Sequence, residues 1–519
     1  MRYPTLIFLF FALLTGCHKA PSPSGENQDP PGKSSAIEFT LYVKYNPIVQ
    51  QILSDEYPVD VPFDEGDQMV VSGEGVEGTL TYDKHYTYYG GYVFTGYLDY
   101  KGTGAPPQNL PLTVRRINPF YSNWGEKLLE PKGASSLEQA IDRYGCYQGT
   151  CTFGNPHVDL SLASSVLNLY LGNGTPFPDT WNREFHLVDG DKSYGPFRIE
   201  FEGGYLCPNV LLIPEGMSLD HPMVDLGGLA RFPLVLPDWL ASSVGGHYAD
   251  ETYVLYDLTH SSVMSKAEKV VIYQSDPGKP THHTVMVHDS VYPPRVDRKV
   301  FFSNIHIEGG QEPVLLRVNT TLWVDGNCTV VSRDGSSPAI SVRPPFSLHI
   351  LGDGTLVAEN EGSEEGGAGI SFGGYEMEEG ADLIIDGSVS IRAKGAPGAA
   401  GIGTGCISAA NNPRPYCGDI RIDTKGKVTA IGGAGAPGIG LGKIQPVEDP
   451  FIVSLGSIRI LGGIVDATGG GDDVSDIGVP ASVSIAEGVF IDPSVTYDGT
   501  RGYRISQMKG DLPIGYKKD

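Results

Sequence analysis

The sequence predicts an all-β chain: two β-sandwich-like domains followed by a parallel β-helix. Three observations carry this. Runs such as "IEFTLYVKY" and "GGYVFTGYLDY" alternate apolar and polar residues with period two, the pattern of a half-buried strand. Isoleucines recur in two ladders toward the C-terminus: Ile350, Ile385, Ile422 and Ile460, spaced by 35, 37 and 38, and Ile370, Ile402, Ile439 and Ile477, spaced by 32, 37 and 38. Glycine is abundant, at 68 residues, tyrosine (27) exceeds phenylalanine (19), and only 19% of residues are charged, a balance that suits turn-rich β structure better than helices.

The elements follow in chain order. "MRYPTLIFLFFALLTGCHKA" holds one early cation, Arg2, and an apolar run from Leu6 to Leu14 that ends at Leu14-Thr15-Gly16-Cys17. That run is too short for a mature membrane span and fits a signal-peptide core. Leu-Thr-Gly-Cys resembles a bacterial lipoprotein lipobox. The resemblance implies removal of residues 1–16 and acylation of Cys17, and several acyl chains together make a stable anchor. Residues 17–35, rich in Pro and Ser, read as an extended tether.

Residues 36–117 read as a first β domain of antiparallel strands and Gly/Asp turns, and residues 118–299 as a second sandwich. In the second, "SSLEQAIDRYG" (135–145) is the best helix candidate. Short strands are expected in "HVDLSL", "SVLNLYLG", "FHLVDG", "FRIEFEGG", "RFPLVLP", "ETYVLYDL" and "KVVIYQ". The stretch Val59 to Asp83, "VDVPFDEGDQMVVSGEGVEGTLTYD", resembles the opening of fimbrillin-like lipoproteins of Bacteroides-type bacteria, in which a Phe-x-x-Gly-Asp turn precedes a strand and a Gly-rich hairpin. The motif here is Phe63-Asp64-Glu65-Gly66-Asp67. The resemblance covers residues 1 to about 299 and implies a surface lipoprotein of fimbrial or adhesin type.

Residues 300–497 read as the β-helix and 498–519 as a tail. "DLIIDGSVSIRAKGAPGAAGIG" from Asp382, "DIRIDTKGKVTAIGGAGAPGIG" from Asp419 and "SIRILGGIVDATGGG" from Ser457 align with one another, and "SLHILGDGTLVAENEG" from Ser347 is an earlier relative. Stacked coils would place the isoleucines inside. Each period holds either two coils of roughly 18 residues, giving a rod of about 38 Å at ordinary strand spacing, or one long coil. Leu315–Val331 looks like a degenerate first coil and Ser482–Ile491 like a last one.

Candidate sites are weighed against this frame. Gly433-Ala434-Gly435-Ala436-Pro437-Gly438 spells G-x-G-x-x-G, but no helix pattern follows to face a pyrophosphate. Its weaker copy at Gly395–Gly405 marks a repeat corner, so no cofactor is expected. The formal charge of −25, with 62 acidic against 37 basic residues, disfavours nucleic acid. Asp472, Asp473 and Asp476 lack the Gly-His-Gly and basic motif of β-helix polysaccharide hydrolases, and the recurring Arg392, Arg421 and Arg459 read as a solvated ladder, so no catalytic residues are assigned. Acid-rich turns at 352–354, 359–365 and 469–476 could offer calcium some of the about six to eight oxygens it takes. None shows a calcium-loop spacing, and solvated turns are the better reading. His282 and His288 lie too far apart along a strand to share one ion, so no metal site is assigned. Cys146/Cys151 and Cys406/Cys417 are local pairs that could bridge in an oxidising compartment, while Cys207 and Cys328 read as buried thiols or a long-range bridge. The seven tyrosines of Tyr82–Tyr100 suit a strand core or an aromatic contact surface.

The functional expectation is a non-enzymatic, lipid-anchored protein of the bacterial outer membrane, displayed at the cell surface and acting in adhesion or as a fimbria-like structural component. Its partners would be membrane lipid, a surface glycan or protein, and fimbrial subunits. The alternative is an extracellular glycan-binding or polysaccharide-cleaving β-helix protein.

Overall fold

The computed structural model describes residues 35–45, 63, 65–84, 92–117, 147–163, 165–174, 181–201, 206–213, 219–235, 248–289, 296–372, 382–407, 416–443, 454–472, 474–478, 482–485, 490–491, 507–509 and 512–514. The signal segment, the tether and the expected helix at 135–145 lie outside them. The described chain is all-β, as expected, and divides into two compact units.

Seven strands close into a barrel: Ser35–Tyr45, Gln68–Gly73, Val76–Tyr82, Tyr92–Tyr100, Pro111–Ile117, Tyr147–Thr152 and His157–Leu162, numbered one to seven and ordered 1-4-3-2-5-6-7. Alternation sends Phe39, Leu41, Val43, Met69, Leu80, Phe94, Leu98 and Leu112 inward. The sixth and seventh strands lie past residue 117, where the first β domain was expected to end. The physical reason is edge protection: without them the strands at 35–45 and 111–117 would present unpaired backbone. The amide of Tyr42 donates to the carbonyl of Pro156 (2.8 Å) at this seam. Phe63 of the Phe-x-x-Gly-Asp turn is buried, edge-on to Tyr92 and Phe94 with centroids 4.7 and 5.1 Å away. Gly66 takes φ +100° in the turn, a conformation open to glycine.

The second unit contains two cores on opposite sides of one sheet. Strands Leu206–Ile213 and Ser165–Asn173 pair antiparallel. Tyr248–Asp257 then joins Ser165–Asn173 in parallel, and parallel pairing continues through Lys269–Tyr273, Arg298–Ser303, Thr320–Asp325, Leu348–Gly352 and Leu383–Ile385 to the long strands Ile420–Ala434 and Ser457–Gly470. Parallel stacking therefore starts upstream of residue 300. A four-stranded antiparallel sheet, ordered Lys192–Phe201, Trp181–Asp189, Met223–Asp225 and Arg231–Pro233, supplies the opposing layer of a sandwich. Phe185, Leu187, Val224 and Phe232 from that layer share a core with Leu169, Tyr253, Val271, Tyr273 and Phe301. Tyr253 ties the layers together: its hydroxyl donates to Pro233 O (3.2 Å) and accepts from Val235 N (2.9 Å).

The other side of the same sheet faces the β-helix interior. Val270, Ile272, Val300 and Phe302 lie there, one residue from the sandwich-facing Val271, Tyr273 and Phe301. Both isoleucine ladders are found in register. Ile350, Ile385, Ile422 and Ile460 are successive pairing partners, as are Ile370, Ile402, Ile439 and Ile477. Upstream they continue as Val270, Val300, Leu322 and as Val263, Val285, Val314, Ile340. Each period is one coil, not two. The ladder residues of one period fall in different sheets, and the third strand of the coil, such as Ser390–Lys394, stacks on its own counterparts. At about 4.8 Å per coil, four periods then span about 19 Å. The strands at 482–485 and 490–491 stack on 457–460 and 464–465, as expected of a last coil.

Candidate interaction surfaces

The glycine-rich corners are built for stacking. Gly403 and Gly440 occupy equivalent positions one coil apart, with φ of +142° and +130°. A Cβ on Gly403 would lie 1.8 Å from the carbonyl oxygen of Gly440, and one on Gly440 would lie 2.2 Å from that of Gly478. Gly398 N donates to Ala434 O (2.9 Å), and Gly435 N to Gly470 O (3.1 Å). The G-x-G-x-x-G is followed by the short strand Ile439–Gly440, so its amides bond neighbouring coils where a dinucleotide site would need a helix start.

A polar row flanks the first ladder. Ser347 N donates to Asn319 Oδ1 (3.0 Å), Asp382 N to Ser347 Oγ (3.2 Å), Asp419 N to Asp382 Oδ1 (2.8 Å) and Ser457 N to Asp419 Oδ1 (2.6 Å). Each side chain satisfies the amide of the coil above, a use for Asp and Ser that the sequence reading did not assign. The signal was present: these residues open the four segments that align by eye.

The acidic turns are also engaged. Glu361 pairs with Arg333, Glu359 with Arg392 (2.6 Å) and Glu365 with Lys443 (2.7 Å). Arg333 reaches Glu308 as well (2.8 Å), and that hydrogen bond holds the Glu308 carboxyl below its ordinary range. Asp476 accepts Gly469 N (2.6 Å), Asp472 is exposed and Asp473 lies outside the described residues. Among the described residues no three His, Cys, Asp or Glu side chains gather as a metal would require.

The other candidates separate. His282 and His288 bond different backbone carbonyls, Glu308 O (2.6 Å) and Asp289 O (3.1 Å). Arg421 and Arg459 are direct strand neighbours, whereas Arg392 aligns with Thr429 of the next coil, eight residues past Arg421, so the three do not form one row. Cys17 and Cys146 lie outside the described residues. Cys151 is a half-buried free thiol whose pKa burial pushes up to about 11. Cys328 is buried, with burial pushing its thiol up to about 12. Cys406 Sγ lies 3.9 Å from Glu365 Oε2, and the side chains of Cys207 and Cys417 are not described. In the tyrosine run, Tyr82 and Tyr92 join the Phe63 cluster, while Tyr97 is 65% exposed on the barrel.

Some polar groups were not anticipated. Lys269 and Glu251 form a nearly buried ion pair, with the ammonium 5.5 Å from the centre of the Tyr253 ring. At the sandwich edge, Arg231 N donates to Ser303 Oγ (3.1 Å), which donates to Asp325 Oδ2 (2.9 Å). Burial raises the Asp325 pKa, with Asp353 and Asp225 adding to the shift and the Ser303 bond and Arg231 opposing it.

No family model matches the chain. No curated relative matches it. Some solved structures are weakly similar. A candidate cell adhesion protein from Bacteroides ovatus is 10% identical, with 42% of this chain and 92% of that one covered, at a TM-score of 0.26. The C-terminally truncated tip fimbrial protein Mfa3 from Porphyromonas gingivalis is 9% identical, with 39% and 83% covered, at 0.20. A fimbrial protein from Bacteroides ovatus is 11% identical, with 37% and 44% covered, at 0.18. At such TM-scores the likeness is partial and says nothing of what this chain binds.

Proposed function

We propose that this protein is a lipid-anchored, non-enzymatic envelope protein that displays its β-helix at the cell surface, in adhesion or as a fimbria-like structural part. The observation that carries the reading is the use made of its chemically suggestive residues. The motif glycines hold coils together, and the turn acids pair with cations one or two coils away. The lipobox sequence Leu14-Thr15-Gly16-Cys17 supplies the expected anchor. Rigid stacked coils suit an exposed spacer or scaffold, because each coil needs only its neighbours for stability.

Protease shaving of intact cells tests display. Loss of the β-helix from the cells supports it, and full protection would place the β-helix inside the envelope and overturn it. Cys17→Ala should release the protein from membranes, and unchanged fractionation would remove the anchor. The enzymatic alternative would require oligosaccharide release from a polysaccharide panel that disappears in Asp472→Ala.

A further inference from the structure

We infer that the outer face of the late coils binds an acidic polysaccharide through Arg421 and Arg459, with Leu461 and Ile464 packing against its sugar rings. The inference rests on the surface-display reading and supplies its ligand class. Strands Ser390–Lys394, Ile420–Ala434 and Ser457–Gly470 together carry six Lys/Arg and two Asp, and four of the six cations have a carboxylate within 4.0 Å: Arg392 with Glu359, Arg421 with Asp423, Lys427 with Asp466 and Arg459 with Asp419. The charges that matter here are local, because those beyond about 8–10 Å are screened at ordinary ionic strength.

Arg421 and Arg459 stand out because they stack on each other. They are in-register neighbours on the outward side, since Ile420, Ile422, Ile458 and Ile460 point inward. They are 49% and 59% exposed. Like charges opposite one another weaken a sheet, so the stack has a cost that an anionic ligand would offset. The nearby carboxylates compensate only in part. Asp423 is 2.9 Å from Arg421, but Asp419 is 4.0 Å from Arg459 and already accepts the Ser457 amide. Guanidinium groups match carboxylates and other oxyanions with paired hydrogen bonds.

The apolar component lies beside the cations. Leu461, two residues beyond Arg459, is 39% exposed, and Ile464 is 44% exposed opposite Lys427. In the coil before, Asp423 and Lys427 hold the corresponding corner. A sugar ring offers apolar C–H faces to such side chains while its acid groups meet the arginines. A single-stranded nucleic acid would want aromatic stacking platforms, and neither Ile420–Ala434 nor Ser457–Gly470 contains an aromatic residue. Arginines repeating at the strand spacing of about 4.8 Å suit a linear polymer with repeated charges.

Affinity electrophoresis of the detergent-solubilised full chain tests this, with alginate (carboxylate), dextran sulfate (sulfate), neutral dextran and single-stranded DNA as separate probes. Retention by alginate or dextran sulfate, weakening as salt rises, is expected, and the two arms identify the acid group. Paired Arg421→Glu/Arg459→Glu changes should lower affinity by at least about tenfold. Paired Leu461→Ser/Ile464→Ser changes should lower it about threefold with the salt dependence kept. Arg421→Gln/Arg459→Gln, which removes the charge and keeps a polar side chain, is the second variant if charge reversal impairs folding. No retention by either acidic probe, equal retention by neutral dextran or DNA, or full binding by a folded arginine variant would overturn the inference. The measurement uses purified protein, so its outcome is independent of the shaving and fractionation results.

Discussion

The early coils and the late coils of the β-helix share one ladder and obey different sequence rules. Strands Lys269–Tyr273 and Arg298–Ser303 are buried on both faces, because the sandwich core lies against their outer side. Their centres, "VVIY" and "VFF", are continuous apolar runs, as doubly covered parallel strands require. Strands Ile420–Ala434 and Ser457–Gly470 have one free face and alternate, as in "IRID" and "SIRI". The inward row of the neighbouring strand narrows from Ile307 and Val330 to Ala358, Ala393, Ala430 and Ala467. One backbone geometry thus appears as a repeat in one half and not in the other. The pattern in a strand reports what covers it, not only how its backbone pairs.

The largest expected effect falls on the late coils. Gly403→Val should cost upwards of about 4 kcal/mol, because the new Cβ meets backbone and the positive φ strains any side chain. Thermal unfolding with hydrogen exchange resolved by segment should show the 383–478 coils losing protection. A normal melting profile would show that these corners adapt, and would weaken the contrast between rigid late coils and the two-sided early ones.

The neighbours Phe301 and Phe302 sharpen the comparison. Both changes to alanine remove a buried ring and should cost about 3–5 kcal/mol. Phe302→Ala should deprotect the β-helix strands first, and Phe301→Ala the four-stranded sheet at 181–233. Identical exchange patterns would mean that the two cores unfold as one unit.

A smaller effect tests the seam where the cores meet. The Asp325 pKa is raised in the folded protein, so its native site favours the protonated acid. Its contribution is fully present below the unfolded carboxylate pKa and is lost as pH rises through the raised native pKa. The melting temperature should therefore carry a component that declines with pH over that interval, and Asp325→Asn should flatten it. A decline of equal size in the variant would assign it to other groups.

The smallest effect belongs to the exposed arginines. Arg421→Ala removes a solvent-exposed pair with Asp423 and should change stability by less than about 1 kcal/mol. Ile422→Ala, one residue on and fully buried, should cost about 2–5 kcal/mol. Equal losses in a denaturant titration would mean that the outer face bears structural weight, and would count against reserving it for a ligand.

Much of the late β-helix was legible in the residues, for a stated reason. A stacked coil repeats its environment, so Ile385, Ile422 and Ile460 occupy one environment and are one residue type. The corner glycines were legible because backbone closeness excludes every other side chain. The candidate surface was less legible. That Arg421 and Arg459 are strand neighbours follows from the alignment, but their exposure beside Leu461 and Ile464 does not. The separate row of Arg392 appeared only with the coil geometry.

Sequence by itself determined the β class, the register of both ladders and the role of the glycine corners, because these depend on periodic local constraints. Tertiary structure decided how many coils a period holds, since period length does not say where a strand returns to its own row. It also decided that residues 147–162 close the first barrel and that one sheet serves two cores. Those outcomes depend on which distant surfaces meet, and no local spacing records that.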